Sequence, residues 1–80
     1  MVEEIILNRW EIDCMHTPET IDKIVMNFRK RGMSLNSLEY KQVDELKAIC
    51  TIEFEDTPAS SSRIFSNMLR IYDVVEMKRI

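Results

Sequence analysis

Between residues 4 and 14, Trp10, Ile12 and Cys14 alternate with Arg9, Glu11 and Asp13. A period of two residues describes a strand with one dry face and one wet face. Ile6 extends the dry set, and Ile5 and Leu7 are expected to be exposed near the start. The pattern then changes. Ile21, Ile24, Val25 and Phe28 recur at i, i+3, i+4 and i+7, which is one face of a helix, while Asp22, Lys23, Asn27 and Lys30 form the outer face. His16-Thr17-Pro18-Glu19 precedes it. Thr17 is expected to be the N-cap, Pro18 the first helical residue, and Glu19 a favourable charge at the positive end of the dipole. Arg31-Gly32 ends the helix with a cation in the last turn and a glycine free to take positive φ.

Residues 33–43 alternate less cleanly. Met33 and Leu35 share one phase, Leu38 and Tyr40 the other, so a strand with a bulge or a two-sided edge is expected. Val43-Asp44-Glu45 is a polar turn. Over 46–55, Leu46, Ala48, Cys50, Ile52 and Phe54 alternate with Lys47, Thr51, Glu53 and Glu55, and Ile49 alone breaks the wet face. Asp56-Thr57-Pro58 starts a second helix with Ile64, Phe65, Met68, Leu69 and Ile71 at helical spacing, closed by Tyr72-Asp73. Residues 74–80 are a last short strand.

The order β-α-β-β-α-β supplies two amphipathic helices that need one apolar sheet face to cover. With right-handed crossovers, it predicts an α+β, ferredoxin-like fold: a four-stranded antiparallel sheet with two helices on one face. The 80 residues have room for one domain, 1–80, with residues 1–3 expected to fray. A chain this short buries only about 60–65% of its unfolded surface, so contact with a partner would add stability.

Composition narrows the chemistry. With 45% hydrophobic and 31% charged residues the chain is a folded protein, not a disordered tail. A net charge of −3, with acids and bases interspersed, disfavours nucleic acid. The one basic cluster, Arg29-Lys30-Arg31, complements a helix C-terminus. No apolar run approaches the roughly 20 residues needed to span a membrane. The acidic start Met1-Val2-Glu3-Glu4 is unlike a signal peptide, and a cytoplasmic location is expected. Cys14 and Cys50, each in an alternating pattern, are expected to be reduced core thiols.

Catalytic readings lack parts. His16 is the only histidine, so no site with two histidine ligands is available, and there is no glycine-rich phosphate loop. Cys14 lies two residues from His16 on a strand and is expected to point into the core, away from a Cys–His pair. Glu53, Glu55 and Asp56 are expected to form a solvated face and not a metal site. An RNA-reading sheet needs aromatics on its open face, where Arg9, Glu11, Asp13, Lys47, Ile49, Thr51 and Glu53 are expected. No catalytic residue, metal ligand or resident cofactor is expected. What remains is the first helix entrance, whose N–H groups at residues 18–21 offer partial positive charge to an anion such as an amino-acid carboxylate.

At this junction the chain resembles a family. Residues 15–25 (Met-His-Thr-Pro-Glu-Thr-Ile-Asp-Lys-Ile-Val) and 28–38 (Phe-Arg-Lys-Arg-Gly-Met-Ser-Leu-Asn-Ser-Leu) are similar to an ACT domain, a small regulatory module. So is the ending Ile71-Tyr72-Asp73-Val74-Val75-Glu76-Met77. Within that family, Pro18-Glu19-Thr20, Arg31-Gly32, Ile64-Phe65-Ser66 and Asp73-Val74 resemble the short regulatory subunit of acetolactate synthase.

The resemblance implies several things. One is a large catalytic subunit as partner, itself carrying thiamine diphosphate, magnesium and FAD. Others are a role in branched-chain amino acid biosynthesis and a homodimer paired through the edge of strand 2 and the helices. It also implies an effector site between paired domains. His16, Thr17, Glu19, Thr20 and Ile21 would form one wall, and Ser34 and Leu35 of the neighbour the other. Effector-binding members carry glycine where Glu19 stands. A carboxylate there repels a ligand carboxylate at about 4 Å by roughly 1–4 kcal/mol. That weakens binding by about one to three powers of ten. The expectation is a non-catalytic subunit acting by protein contact, with weak or absent amino-acid feedback. The alternatives are a free-standing homodimer that binds an amino acid or other small effector, and a purely structural dimer module.

Overall fold

The computed structural model describes residues 4–80, so the expected fraying of residues 1–3 lies outside the described residues. The elements are β1 (Ile6–Met15), α1 (Thr20–Arg29), β2 (Ser37–Gln42), β3 (Lys47–Asp56), α2 (Pro58–Leu69) and β4 (Val74–Arg79). The four strands form one sheet in the order β2-β3-β1-β4, every neighbouring pair antiparallel. This is the ferredoxin-like βαββαβ arrangement that the alternation and caps predict, with β2 at an edge.

The dry phases of β1 and β3 meet the apolar faces of both helices. Trp10, Ile12 and Cys14 from β1 and Ala48, Cys50, Ile52 and Phe54 from β3 are buried against Ile24, Phe28, Ile64 and Met68. Trp10 is the centre of an aromatic cluster. Its ring meets Phe54 and Phe65 edge-on at centroid distances of 4.8 and 5.1 Å, and Phe28 at 6.4 Å. Such edge-to-face pairs contribute about 0.5–1.5 kcal/mol each beyond their buried area.

Two helix ends follow the local chemistry closely. Thr57 caps α2 by accepting a hydrogen bond from the Ser60 N–H at 3.3 Å, with Pro58 in the first turn. Past α1, the Met33 N–H donates to the Phe28 carbonyl and the Gly32 N–H to the Arg29 carbonyl, both at 3.0 Å. Gly32 takes φ +66°, which makes this a Schellman stop and explains the glycine.

Four expectations need correction. α1 begins at Thr20, with Glu19 as its N-cap and no side-chain cap bond, because Thr17 and Pro18 are taken up in a preceding turn. β2 spans only Ser37–Gln42, not 33–43. Met33 and Leu35 pack on the core from the connecting loop, and that loop accounts for the change of phase. Leu46 is 72% exposed, since it lies in the hairpin before β3 and not in the strand. Leu69, at the end of α2, is about half exposed.

Candidate functional site

The end of β1 is fastened to both of its neighbours. The Met15 N–H donates to the Asp73 carbonyl at 2.7 Å, and the His16 N–H to the Leu46 carbonyl at 2.8 Å. The β1–α1 junction is therefore held between the start of β3 and the turn that precedes β4. Antiparallel pairing of β1 with β4 brings Cys14 opposite Val74, and this delivers Asp73 to the helix entrance.

Inside the junction Thr20 is fully buried, and its hydroxyl is a hub. It lies 2.7 Å from the Met15 carbonyl, 2.8 Å from the Thr17 hydroxyl and 3.2 Å from Asp73 Oδ2, and it accepts from the Thr17 N–H at 3.1 Å. A hydroxyl has one proton to give. The shortest contact assigns it to the Met15 carbonyl, so the Thr17 hydroxyl donates to Thr20. Asp73, 4% exposed, then takes its charge compensation from Lys23, whose Nζ donates to Oδ2 at 3.2 Å.

The positions expected to bind an effector fall as follows. Of the N–H groups at 18–21, Pro18 has none, Glu19 donates to Thr17 Oγ1 at 3.3 Å, and Thr20 donates to the Thr17 carbonyl at 3.2 Å. The Glu19 carboxylate is 77% exposed and lies 4.0 Å from Lys23. An exposed pair of this kind contributes little. The buried negative charge at the entrance is Asp73, which local sequence pattern presents only as a helix stop. Ile21 is half-buried on α1.

His16 Nδ1 meets the Tyr40 hydroxyl at 2.9 Å, with the rings 5.7 Å apart. Burial, aided by the neighbouring Cys14 thiol, raises the Tyr40 hydroxyl above its ordinary value. Tyr40 thus keeps its proton at neutral pH, and its hydroxyl can donate to Nδ1 or accept from it according to the imidazole tautomer.

Ser34 is exposed and Leu35 half-buried in the loop before β2. Ser37 registers with Glu53 and thence with Arg9, whereas Met15 registers with Lys47. Six residues of strand separate those two rows, or about 20 Å at ~3.3 Å per residue. Within one chain, Ser34 and Leu35 therefore lie at the opposite end of the sheet from His16, Thr17, Glu19 and Thr20.

The sequence signal for Lys23, Tyr40 and Asp73 is weak, because each gains its role from a partner 24 to 53 residues away. The usable hint is topological. Once β4 is paired with β1, a polar residue just before β4 must face the β1–α1 junction.

Elsewhere, burial pushes the Cys14 thiol up to about 11 and the Cys50 thiol up to about 12. These are inert core groups. Among the described residues no three His, Cys, Asp or Glu side chains gather in a metal-binding group, and no helix is long and apolar enough to cross a membrane.

No family model and no curated protein matches the sequence. Solved structures do. The chain is similar to the ACT domain from GTP pyrophosphokinase of Chlorobium tepidum, with TM-score 0.77 and 10% identity over 96% of this chain and 100% of that one. It is also similar to the C-terminal domain of the MgtC protein from Mycobacterium tuberculosis, with TM-score 0.73 and 16% identity over 99% and 92%. A homoserine dehydrogenase from Thiobacillus denitrificans matches with TM-score 0.68 and 12% identity over 94% of this chain but 17% of the enzyme. At these identities the likeness establishes the fold, which is that of ACT domains.

Proposed function

We propose that this chain is a non-catalytic regulatory subunit that acts by contact with a biosynthetic enzyme, with little or no response to amino acids. The observation that carries this reading is the internal use of the first N–H groups of the β1–α1 junction. The Glu19 and Thr20 N–H groups are used within the chain, and the Asp73 carboxylate is buried beside them. A ligand carboxylate entering there would displace Thr17 and meet a like charge.

The sequence resemblance names the partner as the large catalytic subunit of acetolactate synthase. Thiamine diphosphate, magnesium and FAD would belong to that subunit. Mixing the two proteins should give co-elution on gel filtration and faster acetolactate formation, changed little by valine. Separate elution with unchanged rate would refute the assignment.

A second reading is favoured by the position of Ser34 and Leu35. They lie at the far end of the sheet from His16, so an effector pocket using both walls requires a second copy. In that reading the chain is a free-standing homodimer, joined at the β2 edge, that senses a small molecule. Light scattering would report the dimer. Calorimetric titration of wild type and Glu19→Gly with amino acids would report the ligand, and heat from neither protein would end the sensor reading.

A further inference from the structure

The net charge of −3 hides a segregation. All 14 acids lie outside residues 23–38 and 57–72, whereas those two segments carry six of the eleven cations. They contain nearly all of the helix layer. Apart from Asp22 in the first turn of α1, the helix layer therefore carries an excess of cations on an acidic protein, a distribution that attracts anions to one side.

On that surface lies a shallow groove of about 440 Å³, lined by Arg31, Ser62, Arg63, Ser66 and Asn67. β1 and β3 are antiparallel, so α1 and α2 also run in opposite directions, and the chain leaving α1 passes the second turn of α2. Ser62 and Ser66, like Arg63 and Asn67, are four residues apart and share a face of α2, with Arg31 coming from the other segment. Every one of these side chains can donate hydrogen bonds, and none is an acid. Among the described residues, none of the five is engaged in a protein side-chain hydrogen bond or ion pair. Two unpaired guanidiniums and the hydroxyl and amide donors that line the same groove match the planar, bidentate recognition of phosphate oxygens.

We infer that this groove binds a phosphate group, carried by a small phosphorylated compound or by a lipid headgroup. The site is independent of the β1–α1 junction and of the proposed catalytic partner. Arg31 and Arg63 clamp the phosphate oxygens, and Ser62, Ser66 and Asn67 donate to those that remain.

Titration of the isotopically labelled protein with inorganic pyrophosphate at low salt tests the site by amide NMR. Saturable shifts should centre on residues 31–32 and 62–67. Arg31→Gln and Arg63→Gln should each weaken binding by about tenfold, as expected for loss of a charge-assisted bond. Arg70→Gln, which removes an exposed cation at the C-cap of α2 outside the groove, should leave it unchanged. A second arm measures co-sedimentation with vesicles of phosphatidylcholine containing phosphatidylglycerol. Binding in that arm, lost with Arg31→Gln, identifies the lipid headgroup as source; pyrophosphate binding without it identifies a free compound. No saturation in either arm overturns the inference. So do shifts spread equally over Lys41, Lys47 and Lys78, or equal loss with Arg70→Gln.

Discussion

Replacing Thr20 by valine removes one buried oxygen and almost nothing else. Valine keeps the β-branched shape and leaves no cavity, but its methyl cannot sit 2.7 Å from the Met15 carbonyl as the hydroxyl does, so that contact must open. What is lost is the hub. The Met15 carbonyl at 2.7 Å and the Thr17 N–H at 3.1 Å lose their partner, and the Thr17 hydroxyl must turn elsewhere. Orphaning a buried backbone group costs about 1–3 kcal/mol. Thr17 is only half-buried and can recruit water, so the sum is about 2–4 kcal/mol. A chain of 80 residues has a total stability on the order of 4–12 kcal/mol. Thr20→Val should therefore remain folded in the cold but melt roughly 10–25 °C earlier. Thr20→Ser is the control, because it keeps the hydroxyl and gives up one methyl, about 1 kcal/mol. Urea denaturation followed by the fluorescence of Trp10, the only tryptophan and fully buried, measures both. If the valine variant falls within about 0.5 kcal/mol of the serine variant, the hydroxyl is not a hub and the account of the junction is wrong.

Other outcomes follow from the same structure. Gly32→Val should cost about 1–2 kcal/mol in thermal melts, because φ +66° penalises a branched side chain although the space around it is open. Gly32→Asn should cost distinctly less, and equal losses would refute the backbone explanation. Thr57→Ala should destabilise by about 1 kcal/mol through loss of the α2 cap. Both thiols have folded values above their unfolded ones. Their contribution is thus complete below about pH 8.5 and declines as pH rises toward 11 and 12, by ~1.4 kcal/mol per pH unit per thiol. Cys50→Ala should flatten that decline in denaturation series, and an unchanged slope would count against buried thiols as its source. At pH 8 a thiol reagent should label neither cysteine in the native protein and both in urea.

Where an element is specified by neighbours in sequence, it was legible. The alternation Trp10-Ile12-Cys14 marks β1 because side chains of a strand alternate faces whatever lies beside it. Thr57-Pro58 announces α2 and Gly32 terminates α1, since caps and positive φ are properties of a few consecutive residues. From those elements alone the βαββαβ fold and its edge strand β2 could be worked out.

Position relative to distant chain was another matter. Leu46 continues the phase of β3 but lies in solvent, because its own N–H is turned to Asp44 in the hairpin and the strand starts at Lys47. Thr17 is a residue type suited to an N-cap, yet α1 starts at Thr20, whose hydroxyl donates to the Met15 carbonyl. The junction shows the difference most clearly. His16, Thr17 and Thr20 could be nominated from their place before a helix, but not Tyr40 or Asp73, which reach them across 24 and 53 residues. A buried carboxylate is defined by what surrounds it, and only the pairing of β4 with β1 assembles those surroundings.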